Sequence, residues 1–457
     1  MAEHPKPPNE PQPTQAVTSP ANGAPLGTWT RRDFLERTSV LLGGSAGAVA
    51  ATTGTAAWAS SAKDSSNTSA STSPRIRGRV RLGETGLEVP DISFGTFSLD
   101  RDEALVAHAL DRGITHFDTA EGYRRGLSEE VLGRALAGRR HEVTITSKFW
   151  TEADHDADRQ MRELEASLRR LRTDYVDIYL NHNVNAVARI ANPEWHAFIA
   201  RAKEQGKIRF SGVSGHTNKL VDCLKYGLDQ DAASDSDRLL DVILVAYNFA
   251  QQPSFKDRIK QTLSELAPSL DLIAPQRELP GLLDRAHRQG VGVMTMKTLK
   301  GARLNDMRRY EAPGRTFAQS AFRWILSDPS VDALVVSMTS RAQIDEYIEA
   351  SGSSPPDMDD LALLSRYLLQ NVASQCVQGC NDCATACPAG VETADLMRIR
   401  MYDEDYGLPE TAREEYARLA PNGSACLSCT GAPCAGSCPV GLPIAALNRD
   451  THTRLTT

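Results

Sequence analysis

The chain has 457 residues, more than a single hydrophobic core ordinarily organises, so two or three structural units are expected. Its 58 acidic side chains outnumber its 51 basic ones and leave a net charge of -7, with no general reason to expect nucleic-acid binding. Small molecules or other proteins are the expected partners.

Residues 1–29 are rich in Pro, Asn, Gln, Thr and Ala, a composition that cannot bury enough apolar surface to order itself. Arg31-Arg32-Asp33-Phe34-Leu35 follows, and then a mild apolar run from Ser39 to Ala59. An Arg-Arg pair alone is ordinarily a solvated charge. Here Phe34 and Leu35 sit at the expected offsets, and Ala57-Trp58-Ala59 offers a small-x-small cleavage site. The run's larger apolar residues are only Val40, Leu41, Leu42, Val49 and Trp58, so a retained membrane anchor, the rival reading, would insert marginally. Residues 1–59 therefore resemble a disordered leader with a twin-arginine export signal. That resemblance implies a periplasmic or other extracytoplasmic protein that meets the membrane only during export. Residues 60–75, dominated at first by Ser, Thr, Ala and Asn, read as a flexible linker.

From residue 76 to 352 short apolar runs alternate with amphipathic segments. Residues 80–89, VRLGETGLEV, read as a hairpin around a Gly-containing turn. Strands are expected at Ile92–Thr96, Thr115–Asp118, Val143–Lys148, Tyr175–Asn181, Phe210–Ser214, Leu240–Ala246, Gly292–Met296 and Ala333–Ser337. Between them, Leu105, Val106, Ala109 and Leu110 mark one helical face, and Met161, Leu164, Leu168 and Leu171 another. Strand then helix, repeated about eight times, predicts an α/β chain folded as a (β/α)8 TIM barrel. An open doubly wound sheet is the alternative, but no G-x-G-x-x-G turn follows the first strand.

In a barrel, the carboxyl ends of the strands share one pocket. Asp118 ends the second strand, Tyr123 lies in the loop after it, Lys148 ends the third and His182 ends the fourth. Singly, each has an ordinary structural use as cap, core residue, surface charge or buried imidazole. Together, at neighbouring strand ends, an acid, a phenol, an amine and an imidazole point to proton transfer. These residues resemble the tetrad of the aldo/keto reductases, which implies hydride transfer to a carbonyl; that leaves charge on oxygen, so a proton donor must stand within hydrogen-bond reach. Tyr123 is the candidate donor, Lys148 the ammonium expected to lower the phenol pKa, Asp118 the partner that holds Lys148, and His182 the group that orients the carbonyl oxygen.

LGETGLEVPDISFGT, ITHFDTAEGY, SEEVLG, LRTDYVDIYLNH, GKIRFSGVSGHT, VAYN and GVGVMTMKTLKG occur in that family's order between about Arg79 and Glu349. The resemblance implies an oxidoreductase acting on a small carbonyl or alcohol with NADP(H). It would place Ser214 against the nicotinamide amide, Tyr247 beside the ring, and Ser337, Thr339, Ser340 and Arg341 around the phosphates. Three departures weaken that cofactor site: Leu244 replaces the Gln expected before Tyr247, Gln343 a basic residue, and Tyr347 an Asn. Substrate choice is expected to rest on mouth loops such as 250–277.

The last segment, 353–457, holds eight of the nine cysteines. They form two quartets, Cys376-x3-Cys380-x2-Cys383-x3-Cys387-Pro388 and Cys426-x2-Cys429-x4-Cys434-x3-Cys438-Pro439. Cys223, in VDCLKYGL, reads as a packed helix residue. The Cys-Pro endings resemble the ferredoxin run for [4Fe–4S] clusters, with zinc sites and disulfides as rivals. In two-cluster ferredoxins the fourth cysteine of one run serves the other cluster, which leaves Cys387 and Cys438 open to exchange. The tail also resembles one branch of the same reductase family, with YDEDYGLPETAREEY as spacer and CPVGLPI closing the second quartet. A mostly α ferredoxin-like domain with two [4Fe–4S] clusters and a redox protein partner is the expectation. The alternative is an electron-transfer or assembly module whose barrel is a non-catalytic scaffold.

Overall fold

The computed structural model describes residues 73–217, 219–233, 238–251, 255, 278–300, 307–371, 375–377 and 380–457. The expected export signal with Arg31 and Arg32, nearly all of the linker, and most of the 250–277 mouth loop lie outside these residues.

The hairpin expected at 80–89 is β1 (Arg79–Arg81) paired antiparallel with β2 (Glu88–Pro90). Eight parallel strands follow: β3 (Ile92–Gly95), β4 (His116–Asp118), β5 (Thr144–Phe149), β6 (Val176–Asn181), β7 (Ile208–Gly215), β8 (Val242–Ala246), β9 (Gly292–Met296) and β10 (Ala333–Ser337). They pair in chain order, and β10 returns to β3, so the sheet closes into a barrel. The (β/α)8 expectation holds, and the open-sheet alternative falls.

Alternation along the strands sorts side chains into two layers. Ile178, Leu180, Val242, Leu244, Met294, Ala333 and Val335 fill the barrel, and Leu82, Leu87 and Val89 of the hairpin plug one end of that core. Outward residues such as Phe117, Ile145, Ile243, Val245 and Leu334 pack beneath the helices. Gly212 on β7 is required by this closeness, because a Cβ there would lie 1.8 Å from the Val242 carbonyl oxygen.

The helix Ala157–Leu171 illustrates the outer layer. Asp156 caps it by accepting from the Arg159 N–H at 2.6 Å, and Arg172 ends it in the left-handed region. Met161, Leu164, Leu168 and Leu171 form the buried stripe that their spacing predicts. Leu164 is fully buried, so truncation to Ala would cost roughly 2–5 kcal/mol.

The helix Met358–Asn371 contributes Leu361, Leu363, Leu364, Tyr367 and Leu368 to the barrel's outer core, so the cysteine-rich tail begins after it. That tail is helical in its described residues. The helices Thr393–Glu404, Pro409–Ala417 and Ile444–Thr456 enclose Leu396, Ile399, Tyr402, Ala412, Tyr416 and Leu455. No helix among the described residues is long and apolar enough to cross a membrane.

Candidate active site

Strand parity carries Asp118, Lys148 and His182 inward at the carboxyl ends of β4, β5 and β6, because Phe117, Phe149 and Tyr179 face the outer layer. Lys148 Nζ donates to Asp118 Oδ2 at 2.9 Å, to the Thr119 carbonyl at 2.6 Å and to the Tyr123 hydroxyl at 3.2 Å. The Tyr123 and His182 rings meet edge to face with centroids 5.7 Å apart. All four groups line one cavity of about 600 Å³ at the barrel mouth.

Burial acts on each of them. It raises Asp118 and lowers Lys148, and their mutual contact opposes both shifts. The expectation that Lys148 lowers the Tyr123 pKa is corrected by the structure. Burial and then the Asp118 carboxylate hold the phenol well above its ordinary value, since Asp118 already offsets the ammonium. Tyr123 is therefore a neutral O–H donor. His182 is held well below the ordinary imidazole value by burial and then by the charges of Lys148, Arg189, Arg418 and Arg398.

The residues expected around a cofactor divide. Ser214, Ser337 and Thr339 line the cavity, and Ser214 Oγ also accepts from the Asn183 N–H at 3.1 Å. Ser340 instead caps the helix Arg341–Ile348 through the Gln343 N–H, and Arg341 is exposed. Gln343 Oε1 accepts from the Thr339 N–H at 2.7 Å, so part of that loop is satisfied internally. Tyr247 is not beside the cavity. It follows Ile243 and Val245 onto the outward face, where it is fully buried and donates to Asp328 Oδ2 at 3.0 Å. Met296 at the end of β9 lines the cavity instead.

Sequence reasoning missed two cations. Lys297 and Lys300 follow β9 with φ of 57° and 49°, and both line the cavity. Burial lowers both, Lys300 to about 8. Their hydrogen-bond partners are neutral: Lys297 Nζ meets the Tyr402 hydroxyl at 3.0 Å, and Lys300 Nζ meets Gln375 Oε1 at 3.1 Å. The detectable signal was MKTLKG at a strand's carboxyl end, where two lysines sit three residues apart.

The tail roofs the cavity. Tyr402, Tyr406, Glu415 and Arg418 line it from above, and Phe97 stands between the Tyr123 and Tyr402 rings at 5.2 and 5.5 Å. Arg398 pairs with Glu415 and Asp395 beneath that roof.

All nine cysteines are free thiols, so the disulfide rival is not realised. Cys223 is fully buried in its helix, as expected. Burial raises Cys376 to about 12, and the neighbouring Cys383, Cys380 and Cys438 add to that shift. Cys434 is raised by burial and then by Cys387, Cys426 and Cys429. Cys438 thus lies within electrostatic reach of Cys376, and Cys387 within reach of Cys434. Cys387 Sγ accepts from the Val391 N–H and Cys438 Sγ from the Leu442 N–H, each at 3.4 Å. Among the described residues, no three His, Cys, Asp or Glu side chains converge on a single-ion site.

The profile of the Aldo/keto reductase family matches residues 86–366. L-glyceraldehyde 3-phosphate reductase of Escherichia coli K12 is 26% identical over 327 residues, covering 63% of this chain and 91% of that protein. L-galactose dehydrogenase of Arabidopsis thaliana is 27% identical over 296 residues, covering 59% of this chain and 86% of that protein. A crystal structure of an aldo/keto reductase from Klebsiella pneumoniae, in complex with NADP and acetate, aligns at 26% identity with a TM-score of 0.48. It covers 64% of this chain and 95% of that one.

Proposed function

The chain belongs to the aldo/keto reductase family and is an oxidoreductase of that type, and on this premise we propose that its barrel mouth interconverts a small carbonyl compound and its alcohol with NADP(H). The observation that carries the reading is the Lys148 ammonium, which meets both Asp118 and the Tyr123 hydroxyl within 3.2 Å. Tyr123 donates its proton to the carbonyl oxygen as charge develops there. Asp118 fixes Lys148, and Lys148 stabilises the phenolate left behind. His182, neutral, directs a ring N–H at the same oxygen and orients the substrate.

The cavity suits a dinucleotide. Lys297 and Lys300 are half-buried cations with neutral hydrogen-bond partners, a chemistry that favours a phosphate-bearing ligand, and Ser214, Ser337 and Thr339 add hydroxyls. When bound, the nicotinamide would supply the hydride. The aldehyde named for the Escherichia coli relative makes small hydroxyaldehydes the first substrates to try.

For the tail, our reading is a ferredoxin-like unit with two [4Fe–4S] clusters, one held by Cys376, Cys380, Cys383 and Cys438, the other by Cys426, Cys429, Cys434 and Cys387. Its supports are the eight free sulfurs, the electrostatic reach of Cys438 to Cys376 and of Cys387 to Cys434, and the matching backbone N–H donors to Cys387 and Cys438. Such clusters would pass single electrons, so an external redox protein is the partner that suits them. Export through the twin-arginine route rests on Arg31-Arg32-Asp33-Phe34-Leu35 and the apolar run behind it. That route carries folded proteins and would let clusters load first. A retained nicotinamide would suit a compartment with little free NADPH.

Tyr123→Phe decides between an enzyme site and a scaffold. NADPH-dependent reduction of L-glyceraldehyde 3-phosphate and related aldehydes is expected to fall by on the order of 100-fold or more. Unchanged turnover would reject the assignment of Tyr123 as acid.

A further inference from the structure

Arg189 is buried at 2% exposure, yet among the described residues no carboxylate is bonded to it. Nε donates to the Thr151 carbonyl at 2.6 Å, Nη1 to the Asn183 carbonyl at 2.9 Å and Asn185 Oδ1 at 3.0 Å, and Nη2 to Asn181 Oδ1 at 3.0 Å and the His182 carbonyl at 2.7 Å. A guanidinium has five N–H donors in a fixed fork, and these contacts use all of them on neutral oxygens. The guanidinium carbon also lies 4.3 Å from the centre of the Trp150 ring, which walls the cavity.

Those acceptors lie at the last residue of β6 and on the turns that follow β5 and β6, the strands that present Lys148 and His182. Asn183 adopts a φ of 52°, so the backbone reverses sharply right after His182 and must be held. The acid Glu152 acts on Arg189 without bonding to it, so burial of the guanidinium is costly, and a neutral side chain could not supply the fork. We propose that Arg189 is the positioning residue of the site, which fixes the His182 turn against the Lys148 strand and sets a cation beside that turn.

This rests on the tetrad reading above, and the electrostatics agree with the geometry. The groups that bear on His182 are Lys148 from β5, Arg189 from the short helix Val187–Ile190, Arg398 and Arg418 from the tail, His216 beyond β7, and the Tyr123 ring. The cations all disfavour imidazolium. Among them, Arg189 alone is bonded to the His182 backbone, so it couples orientation and charge in one side chain.

Two substitutions separate the two effects. Arg189→Lys keeps the charge but loses the fork, and Arg189→Met loses both. In the full-length protein, both are expected to lower kcat for glyceraldehyde reduction on the order of 10- to 100-fold, with a smaller change in KM. Only Arg189→Met is expected to move the His182 titration up toward the ordinary imidazole value. That titration is followed by the ring 13C–1H signal of labelled histidine, assigned through its loss in His182→Gln. Wild-type kcat in both variants, or an unmoved His182 titration in Arg189→Met, overturns the proposal. Should Arg189→Met not fold, Asn185→Ala withdraws one acceptor and carries the kcat test, while the proposal still falls if Arg189→Lys is wild-type. Tyr123→Phe is measured alongside. If it collapses activity while the Arg189 variants do not, only this inference fails; if it does not, the tetrad reading fails.

Discussion

Lys297 of the barrel and Tyr402 of the tail meet across the cavity roof, ammonium to hydroxyl at 3.0 Å, with the same ammonium 4.8 Å from the centre of the Tyr402 ring. A cation on a left-handed turn is thereby capped by a neutral group from about a hundred residues further along the chain. Tyr402→Phe should leave that half-buried ammonium short of an acceptor and lower stability by roughly 1–3 kcal/mol. NADPH, by supplying phosphate oxygens, should stabilise the variant more than the wild type. Melting temperatures with and without NADPH measure this, and an equal ligand-induced shift in both proteins would count against a phosphate site at Lys297.

Lys148→Met strands the Asp118 carboxylate, which is 3% exposed. The expected destabilisation is about 3–5 kcal/mol, seen as a lower denaturant midpoint. Lys148→Met combined with Asp118→Asn should recover part of that loss without recovering activity, because the ion pair is removed together but the tetrad is not restored. No recovery in the double variant would show that the two charges are not coupled.

The exchange of Cys387 and Cys438 between quartets is tested by double substitutions. Cys376→Ser with Cys438→Ser should cost no more iron and acid-labile sulfide than either alone, about four irons per chain, because both sulfurs serve one set. Cys434→Ser with Cys438→Ser should empty both sets. The reverse pattern would restore the sequential pairing, and a colourless zinc protein would refute the cluster reading.

His116 is fully buried, with Nε2 2.9 Å from Thr146 Oγ1, and burial lowers its pKa from 6.5 to about 4. Between those values the unfolded chain takes up a proton that the native state refuses. Stability present at pH 7 is therefore lost as pH falls through that window, by up to about 3 kcal/mol from this group. Urea midpoints at pH 7 and 4.5 should show the loss, and His116→Gln should flatten it; an equal slope in the variant would exclude His116 as its source.

Replacing Arg31 and Arg32 with Lys should trap the precursor inside the cell. Undiminished export, measured by fractionation, would reject the twin-arginine reading.

Local pattern determined a good deal. Alternation and apolar spacing placed the eight strands within two residues of their bounds, and Asp118, Tyr123, Lys148 and His182 were legible because a barrel sends its strand ends to one mouth. Parity also explains the miss at Tyr247. The residue lies just past β8, in phase with Ile243 and Val245 and out of phase with the inward Leu244, so its ring joins the outer core. Only tertiary structure decided the rest. No local periodicity shows which surface the tail docks on, so the roof of Tyr402, Tyr406 and Arg418 was invisible, as was the fork of Arg189 across two loops. The same holds for the tetrad's protonation. The residues named the acid, but desolvation beneath the tail, together with Asp118 beside Lys148, set the Tyr123 phenol high and left it a proton donor.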